Sequence, residues 1–524
     1  MSKATMEKKA DVRNGIGRLI ISLLIIIAEI VFVINLFTRL SLEAAWIESA
    51  MKVVAIFTVL LIYSASRNSA FKTPWIILIM AFPIIGLGLY ILIGLNGRTY
   101  FIKRRYEKID ETIFPKLREG FYREKELTAD ERLKQYDPEI YGISRYISGC
   151  GFPLYQNTAV KYFPSAESAM DSIKIELRRA KKFIFMEYFA IESKETWLEI
   201  QEILEEKVNE GVEVRVFYDD VGSISFVNFD FAERMEKKGI RCRIFDPFIP
   251  GLNLFLNNRD HRKITVVDGR VAFTGGFNIA NEYVNRTSPY GKWSDTGVRL
   301  EGEAVRSLTA IFLENWNAVK RNDESDTDLD YYLPCYSRHT SEEAFVQPYS
   351  DSPLDNEPVG ENVYISMVNK AEHYCYFTTP YLILTEEMTH ALTLAAKRGV
   401  DVRIVTPGIP DKKLVYQLTR SYYNSLTKEG VRIYEWTPGF LHAKNCVIDD
   451  KAAITGTINT DFRSFYHHFE DAVFFAYTKE VMETKKFILE KIDESRDVTE
   501  KYTRGRGRTL RLIQLILRLF APLL

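Results

Sequence analysis

Cysteine is scarce in this chain. Five are scattered along it, Cys150, Cys242, Cys335, Cys375 and Cys446, and no two form a C-x-x-C pair. An odd, dispersed set argues against a disulfide scaffold and against a structural zinc site; buried free thiols are the expectation. Net charge is nearly absent too, at −1 over 524 residues. No whole-chain pull toward nucleic acid follows from that balance. Histidine is rare, with seven in all, yet two of them stand in closely matched surroundings.

Apolar sequence is plentiful. Hydrophobic residues make up 46% and charged residues 27%, which is ordinary for a globular chain on average. The average hides segregation, because the first hundred residues are strongly apolar and the rest is mixed. Leu19–Leu40 is long enough to span a bilayer, although Glu29 and Asn35 interrupt it. A second run, Val53–Tyr63, spans only if extended back to Trp46 past Lys52 and Glu48. A third, Pro74–Leu95, carries Pro83, Gly86 and Gly88 in its middle, which favours a kinked or re-entrant helix. Basic clusters flank all three runs, so the positive-inside rule predicts two crossings plus one interfacial segment, with the catalytic part cytoplasmic. The tail RGRGRTLRLIQLILRLFAPLL reads as a basic amphipathic helix for an anionic lipid surface, or one docked on the protein.

The remainder repeats itself. KKFIFMEYFAI, a helical stretch and VEVRVFYDD in the first half match EHYCYFTTPYLI, EEMTHALTLAAKRG and VDVRIVTPG in the second. Gly211 and Gly399 stand where a helix ends before a strand. The fold class predicted is α/β, with two repeated α/β/α halves about a pseudo-twofold, preceded by N-terminal membrane helices. The expected boundaries are 1–100 for the membrane segments, 101–150 for a charged connector containing an exposed helix, 151–330 and 331–497 for the halves, and 498–524 for the tail.

Each half ends in the same frame: His261, Lys263, Asp268, Gly275, Gly276 and Asn278, then His442, Lys444, Asp449, Gly456 and Asn459. HRKITVV reads as a strand, so His261 and Lys263 share a face. Asp268-Gly269 reads as a tight turn that returns Thr274 to Gly276 beside them. Asp268 then lies roughly 20 Å from His261 along an extended strand, which suits a turn-holding residue rather than a chemical one. After the glycines NIANEY and NTDFRS look like helix starts. One imidazole, one ammonium, one carboxamide and exposed backbone N–H suit a phosphate. Two copies around one phosphorus permit in-line displacement, one histidine attacking and the other protonating the leaving oxygen. The lysines supply the positive charge, so no metal and no cofactor are expected. A single H-x-K is a weak signal; five matched positions repeated at identical spacing are a strong one. His467 and His468 read as ordinary residues, with a supporting role for them left open.

The frame resembles the HKD motif of the phospholipase D superfamily, H-x-K-x4-D-x6-G-G/S-x-N, with Thr457 where serine or glycine is usual. Over nearly its whole length the chain resembles bacterial cardiolipin synthases. Supporting pieces are Trp75, Pro83, Gly86, Tyr90 and Gly94, WSDTGVRLEG (Trp293–Gly302), TPY (Thr379–Tyr381), TDFRS (Thr460–Ser464) and the ending RLFAPLL. The resemblance implies phosphatidyl transfer between two phosphatidylglycerol molecules through a phosphohistidine, in the plasma membrane of a bacterium. It implies His261 as nucleophile, His442 as acid and base, and an acid after each motif, Asp295 and Glu470, to orient a histidine. Where the family commonly has N-x-E, this chain has His468-Phe469-Glu470. A membrane-bound hydrolase, a transferase using another alcohol and a nuclease are the competing readings. The membrane segments and near-zero charge weigh against nucleic acid as a partner.

Overall fold

A computed structural model describes residues 45–65, 68–91, 97–119, 127–247, 258–319, 329–338 and 344–505, with isolated positions in 17–35 and 514–523. Its strands, in chain order, are β1 (Thr158–Phe163), β2 (Phe183–Tyr188), β3 (Glu213–Asp219), β4 (Arg241–Phe245), β5 (Arg259–Asp260), β6 (Lys263–Val267), β7 (Val271–Gly275), β8 (Lys292–Ser294) and β9 (Gly297–Gly302). The second half contributes β10 (Phe345–Asp351), β11 (Tyr374–Thr378), β12 (Leu382–Ile383), β13 (Asp401–Pro407), β14 (Arg432–Trp436), β15 (Gly439–Leu441), β16 (Asn445–Ile448), β17 (Ala452–Gly456), β18 (Thr460–Asp461), β19 (His468–Ala476) and β20 (Ser495–Asp497).

The repeat is visible in the strand order. The first sheet runs β1-β9-β7-β6-β2-β3-β4, and the second runs β10-β19-β17-β16-β11-β13-β14-β20, so the first seven places of each correspond. The β2–β3–β4 and β11–β13–β14 pairings are parallel and the rest of each shared path is antiparallel. FIFMEY in β2 and YCYFT in β11 are buried on both faces, as strands covered by helices on either side must be. Helix Glu195–Asn209 makes one crossover, burying Trp197, Ile200, Ile203 and Leu204 at helical spacing. Gly211 after it and Gly399 after helix Glu386–Lys397 adopt positive φ, +86° and +96°, the left-handed turn that ends a helix. Helix Val305–Val319 is buried nearly all round, because it packs on β6 and β7 of one sheet and on β10 of the other. One apolar core runs through both halves.

Three expectations change. The stretch read as a charged connector forms helices Gly97–Ile113, Ala129–Tyr136 and Pro138–Gly149, and their Tyr106, Ile113, Leu133, Ile140, Ile143 and Ile147 join the shared core. The charge in that stretch lies on the outer faces of amphipathic helices, which composition alone does not separate from a solvated linker. Of the cysteines, Cys242, Cys375 and Cys446 are buried, whereas Cys335 is exposed and Cys150 intermediate. No helix among the described residues is long and apolar enough to cross a membrane. The third apolar run is broken into Ser69–Ala81 and Pro83–Leu89, since Pro83 pushes Phe82 out of the helical region to φ −137°, ψ 75°. The second forms helix Ala45–Ser64, and most of Leu19–Leu40 lies outside the described residues.

These helices pack through Ala55, Ile62, Ile79 and Leu87, yet leave Val53, Phe57, Leu60, Leu61 and Met80 exposed. They are fixed to the second half. Asn68 donates from Nδ2 to Tyr466 Oη at 3.2 Å, and Phe71 meets the His467 ring edge-on at 5.1 Å. At its described positions the tail also lies on the protein: Arg518 donates to Ser421 O at 2.6 Å and its guanidinium covers the Tyr422 ring at 4.3 Å.

Candidate active site

Short strands that cross between the halves place the two motif histidines. β5, just before His261, pairs parallel with the start of β19 in the other half. β15, just before His442, pairs parallel with β8. The His261 amide donates to Phe469 O at 2.9 Å, and the His442 amide donates to Ser294 O at 2.8 Å. Each accepting residue immediately precedes an acid. His261 Nδ1 therefore lies 2.9 Å from both Glu470 oxygens, and His442 Nδ1 lies 2.6 Å from Asp295 Oδ2. Each half thus lends its carboxylate to the histidine of the other. An acid on Nδ1 orients the ring and fixes the proton there, which leaves Nε2 free for chemistry.

The rest of each frame packs around these pairs. Lys263 and Lys444 donate from Nζ to the carbonyls of His261 and His442, and Lys444 Nζ also lies 2.8 Å from His442 Nδ1. Asn278 accepts from the Ala190 amide at 3.1 Å and donates to Tyr283 Oη at 2.7 Å, whereas Asn459 Oδ1 has no hydrogen-bond partner. A Cβ added at Gly276 would meet Asp295 Oδ1 at 2.1 Å, so glycine there makes room for the carboxylate. In the second copy Thr457 fills that position and donates its hydroxyl proton to Glu470 Oε2. Gly275 and Gly456 lie against the backbone of the next strand, at Thr296 O and Asp471 O.

Asp268 and Asp449 stand apart from the imidazoles. Asp268 sits at φ +56° and accepts the amides of Lys181, Lys182 and Phe183 at 2.9, 2.7 and 3.0 Å, which anchors the start of β2 to the β6–β7 turn. Asp449 does the same for Glu372, His373 and Tyr374 at the start of β11. The helix starts expected after the glycines appear only in the second copy, as Phe462–Tyr466. In the first copy residues 281–285 form turns, because Asn281 is held by its amide to Glu192 and by its side chain to Thr196.

Burial and neighbouring charge set the protonation states. Burial, followed by positive Lys263 and Lys444, pushes His261 well below the ordinary imidazole value. Burial and Lys444 push His442 down to about 4, while Asp295 pulls it upward. Burial draws Asp295 up, but His442 and Lys444 together hold it below the usual carboxylate value. Burial lowers Lys263 to about 8 and Lys444 to about 7, against the pull of Glu470 on the first and Asp295 on the second. The free site therefore holds two neutral imidazoles, each with an available nitrogen lone pair, beside lysines close to losing their charge.

Several neighbours of the two imidazoles carry no sequence signal that places them at the site. Trp293 and Tyr283 lie 5.1 and 5.5 Å from the His442 ring, and Phe189 lies 5.1 Å from the His261 ring. Arg262, between the motif His and Lys, is fully buried and donates to Glu314 at 3.1 Å beneath the site. Asp471 accepts from Thr274 Oγ1 at 2.5 Å and is pushed up to about 7 by burial. The run RDHRK, four charged residues around His261 entering buried strands, is the one sequence signal for this layer. His468 stands with its ring 5.4 Å from that of His261. With Glu470 these two histidines bring possible metal-ligand atoms within 4.8 Å of one another.

Comparison with known proteins gives a consistent picture. A family described as cardiolipin synthase, phospholipase D-like domain, matches residues 173–310 and 364–491, and a phospholipase D-nuclease N-terminal family matches 50–94. A relative in Streptococcus mutans, described as an uncharacterized protein, is 43% identical over 89% of this chain and 99% of its own. A cardiolipin synthase of Halalkalibacterium halodurans is 31% identical over 94% of this chain and 97% of its own. One from Geobacillus kaustophilus is 33% identical over 90% and 93%. Among solved structures, phosphatidylserine synthase of Haemophilus influenzae aligns with a TM-score of 0.53 at 16% identity, covering 71% of this chain and 94% of that one. That likeness bears on the fold.

Proposed function

Since the chain belongs to the cardiolipin synthase family of phospholipase D-like phosphatidyltransferases, we propose that it transfers a phosphatidyl group between two phosphatidylglycerol molecules, giving cardiolipin and glycerol. One observation carries the residue assignment: the crossed pairs His261–Glu470 and His442–Asp295, at 2.9 and 2.6 Å, give two equivalently oriented imidazoles. His261, whose Nδ1 is held by Glu470, attacks phosphorus through Nε2. His442 passes a proton to the departing glycerol oxygen. The bond to glycerol breaks as the His261–phosphorus bond forms. His442, now neutral, takes the proton from a hydroxyl of the second phosphatidylglycerol, whose oxygen then displaces His261.

An imidazole held near 4 in the free site needs help to act as an acid. The substrate provides it: an anionic diester beside His442 favours the imidazolium, as any close opposite charge does. The same anion restores charge to Lys263 and Lys444, which hold the non-bridging oxygens with Asn278 and Asn459. Asp268 and Asp449 have no part in the chemistry, and Gly275, Gly276 and Gly456 give the strands and acids their close approach.

The lipid reaches the site from the membrane side. The apolar faces of helices Ala45–Ser64 and Ser69–Ala81 have no partner within the described protein surface and suit a bilayer. Asn68 and Phe71 tie them to helix Phe462–Tyr466, which follows the second motif directly. Since no described helix is long and apolar enough to cross, Leu19–Leu40 supplies one anchoring crossing of a bacterial plasma membrane rather than the multi-pass arrangement read from the three apolar runs. Purified protein given labelled phosphatidylglycerol tests the assignment: cardiolipin and free glycerol are expected, and phosphatidic acid without cardiolipin refutes it in favour of a hydrolase.

A further inference from the structure

His468 is a third imidazole in this site, and the mechanism above gives it no task. It opens β19 and is 7% exposed. Its ring is tilted 41° to that of His261, with centroids 5.4 Å apart. Its Nδ1 lies 3.6 Å from Glu470 Oε1, beyond hydrogen-bond length, and neither ring nitrogen has a hydrogen-bond partner. Burial and the charge of its neighbours keep it neutral, although Glu470 pulls upward. A neutral imidazole carries one N–H donor and one acceptor. Leaving both unpaired in a buried site costs the free protein stability, and such a cost persists at functional sites where a ligand completes the pairing.

We propose that His468 is a further phosphodiester-binding residue: its ring N–H donates to a non-bridging oxygen of the lipid phosphate while His261 engages the phosphorus. This rests on the phosphatidyl-transfer reading. In-line displacement puts the leaving and entering alcohols on the His442 side of phosphorus. A group beside His261 therefore faces the oxygens that stay on the transferred phosphoryl group, where a donor strengthens as negative charge builds. Glu470 already holds Nδ1 of His261 at 2.9 Å, and His468 makes no hydrogen bond to that pair, so its ring N–H is left for the phosphate rather than for orienting the nucleophile.

Two substitutions separate a ligand contact from a packing role. His468→Phe fills similar volume without a donor, and His468→Asn keeps one. With phosphatidylglycerol in mixed micelles, the Phe variant is expected to melt at or above the wild-type temperature. Its kcat/KM for donor loss is expected to fall about 100-fold, the effect of removing one donor to a developing oxyanion. The Asn variant should recover most of that loss. A folded Phe variant whose kcat/KM stays within about twofold of wild type overturns the proposal. So does an Asn variant no better than Phe. If the Phe variant does not fold, His468→Ala replaces it with the same two readings. Donor loss is scored separately from cardiolipin. Wild-type protein that consumes phosphatidylglycerol without making cardiolipin thus refutes the acceptor assignment and leaves the His468 comparison standing.

Discussion

Replacing Asp295 by Asn isolates the crossed arrangement, because Asp295 belongs to the first half yet bonds the second half's histidine. The contact is buried, at 2.6 Å between His442 Nδ1 and Asp295 Oδ2. A hydrogen bond to a charged group contributes about 1.5–3 kcal/mol, and about 1.4 kcal/mol is one decade in rate, so a loss of about 10- to 100-fold follows. The sign of the pH effect is fixed as well. Asp295 raises the His442 pKa, so its removal lowers it. The acid form then disappears at lower pH, and the alkaline limb of kcat moves toward acid. A phosphatidyl ester with a 4-nitrophenol leaving group needs no acid for its departure. With that substrate Asp295→Asn should release one nitrophenol per protein chain at nearly the wild-type rate and then break down the phosphatidyl-enzyme about 10- to 100-fold more slowly. Glu470→Gln should instead lose the burst, because its partner is the attacking His261. The opposite pattern, in which the Gln variant keeps the burst and the Asn variant loses it, would refute the pairing of acids with roles.

Three further outcomes follow from the same geometry. Asp268→Ala removes the acceptor for three strand-start amides and should cost about 2–4 kcal/mol in denaturant unfolding, with the kcat of the folded protein unchanged; unchanged stability with lost turnover would contradict an anchoring role. Gly276→Ala puts a methyl group 2.1 Å from Asp295 Oδ1 and should reproduce the slow second step of Asp295→Asn, so ordinary kinetics in that variant would show that the carboxylate is not confined there. Lys444 and Lys263, lowered to about 7 and about 8, lose their charge as pH rises through those values. The kcat/KM profile, which reports the free protein, should therefore fall above about pH 4 as His442 loses its proton and steepen above about pH 7 as the lysines lose theirs; an unchanged slope through about pH 9 would mean that the lysines stay charged without substrate.

Much of this was legible in the sequence because it is local or repeated. The His-x-Lys alternation, the Asp-Gly turn and the returning glycines lie within one hairpin, and their duplication exposed the twofold design. Strand–helix–strand periodicity announced each parallel unit, with Gly211 and Gly399 marking the same corner. What was not legible depends on contacts between distant segments. Glu470 meets His261 across 209 positions and Asp295 meets His442 across 147. Nothing in the spacing of either acid says that it serves the opposite half. His468 read as ordinary because its setting exists only once β5 pairs with β19. The stretch 101–150 read as a connector because its apolar positions, thinly spaced among charges, declare themselves only when packed. NIANEY read as a helix start because the hold of Glu192 on Asn281 comes from another loop.

The central claim is that a single phosphorus is served by two histidines, one from each half, within one chain. Its most direct test is mass spectrometry of the His442→Ala protein after brief exposure to the 4-nitrophenyl phosphatidyl ester, with digestion to locate the adduct. The account predicts a phosphatidyl group on His261 and none on His261→Ala protein treated in the same way. An adduct on another residue, or wild-type turnover in either histidine variant, would contradict it.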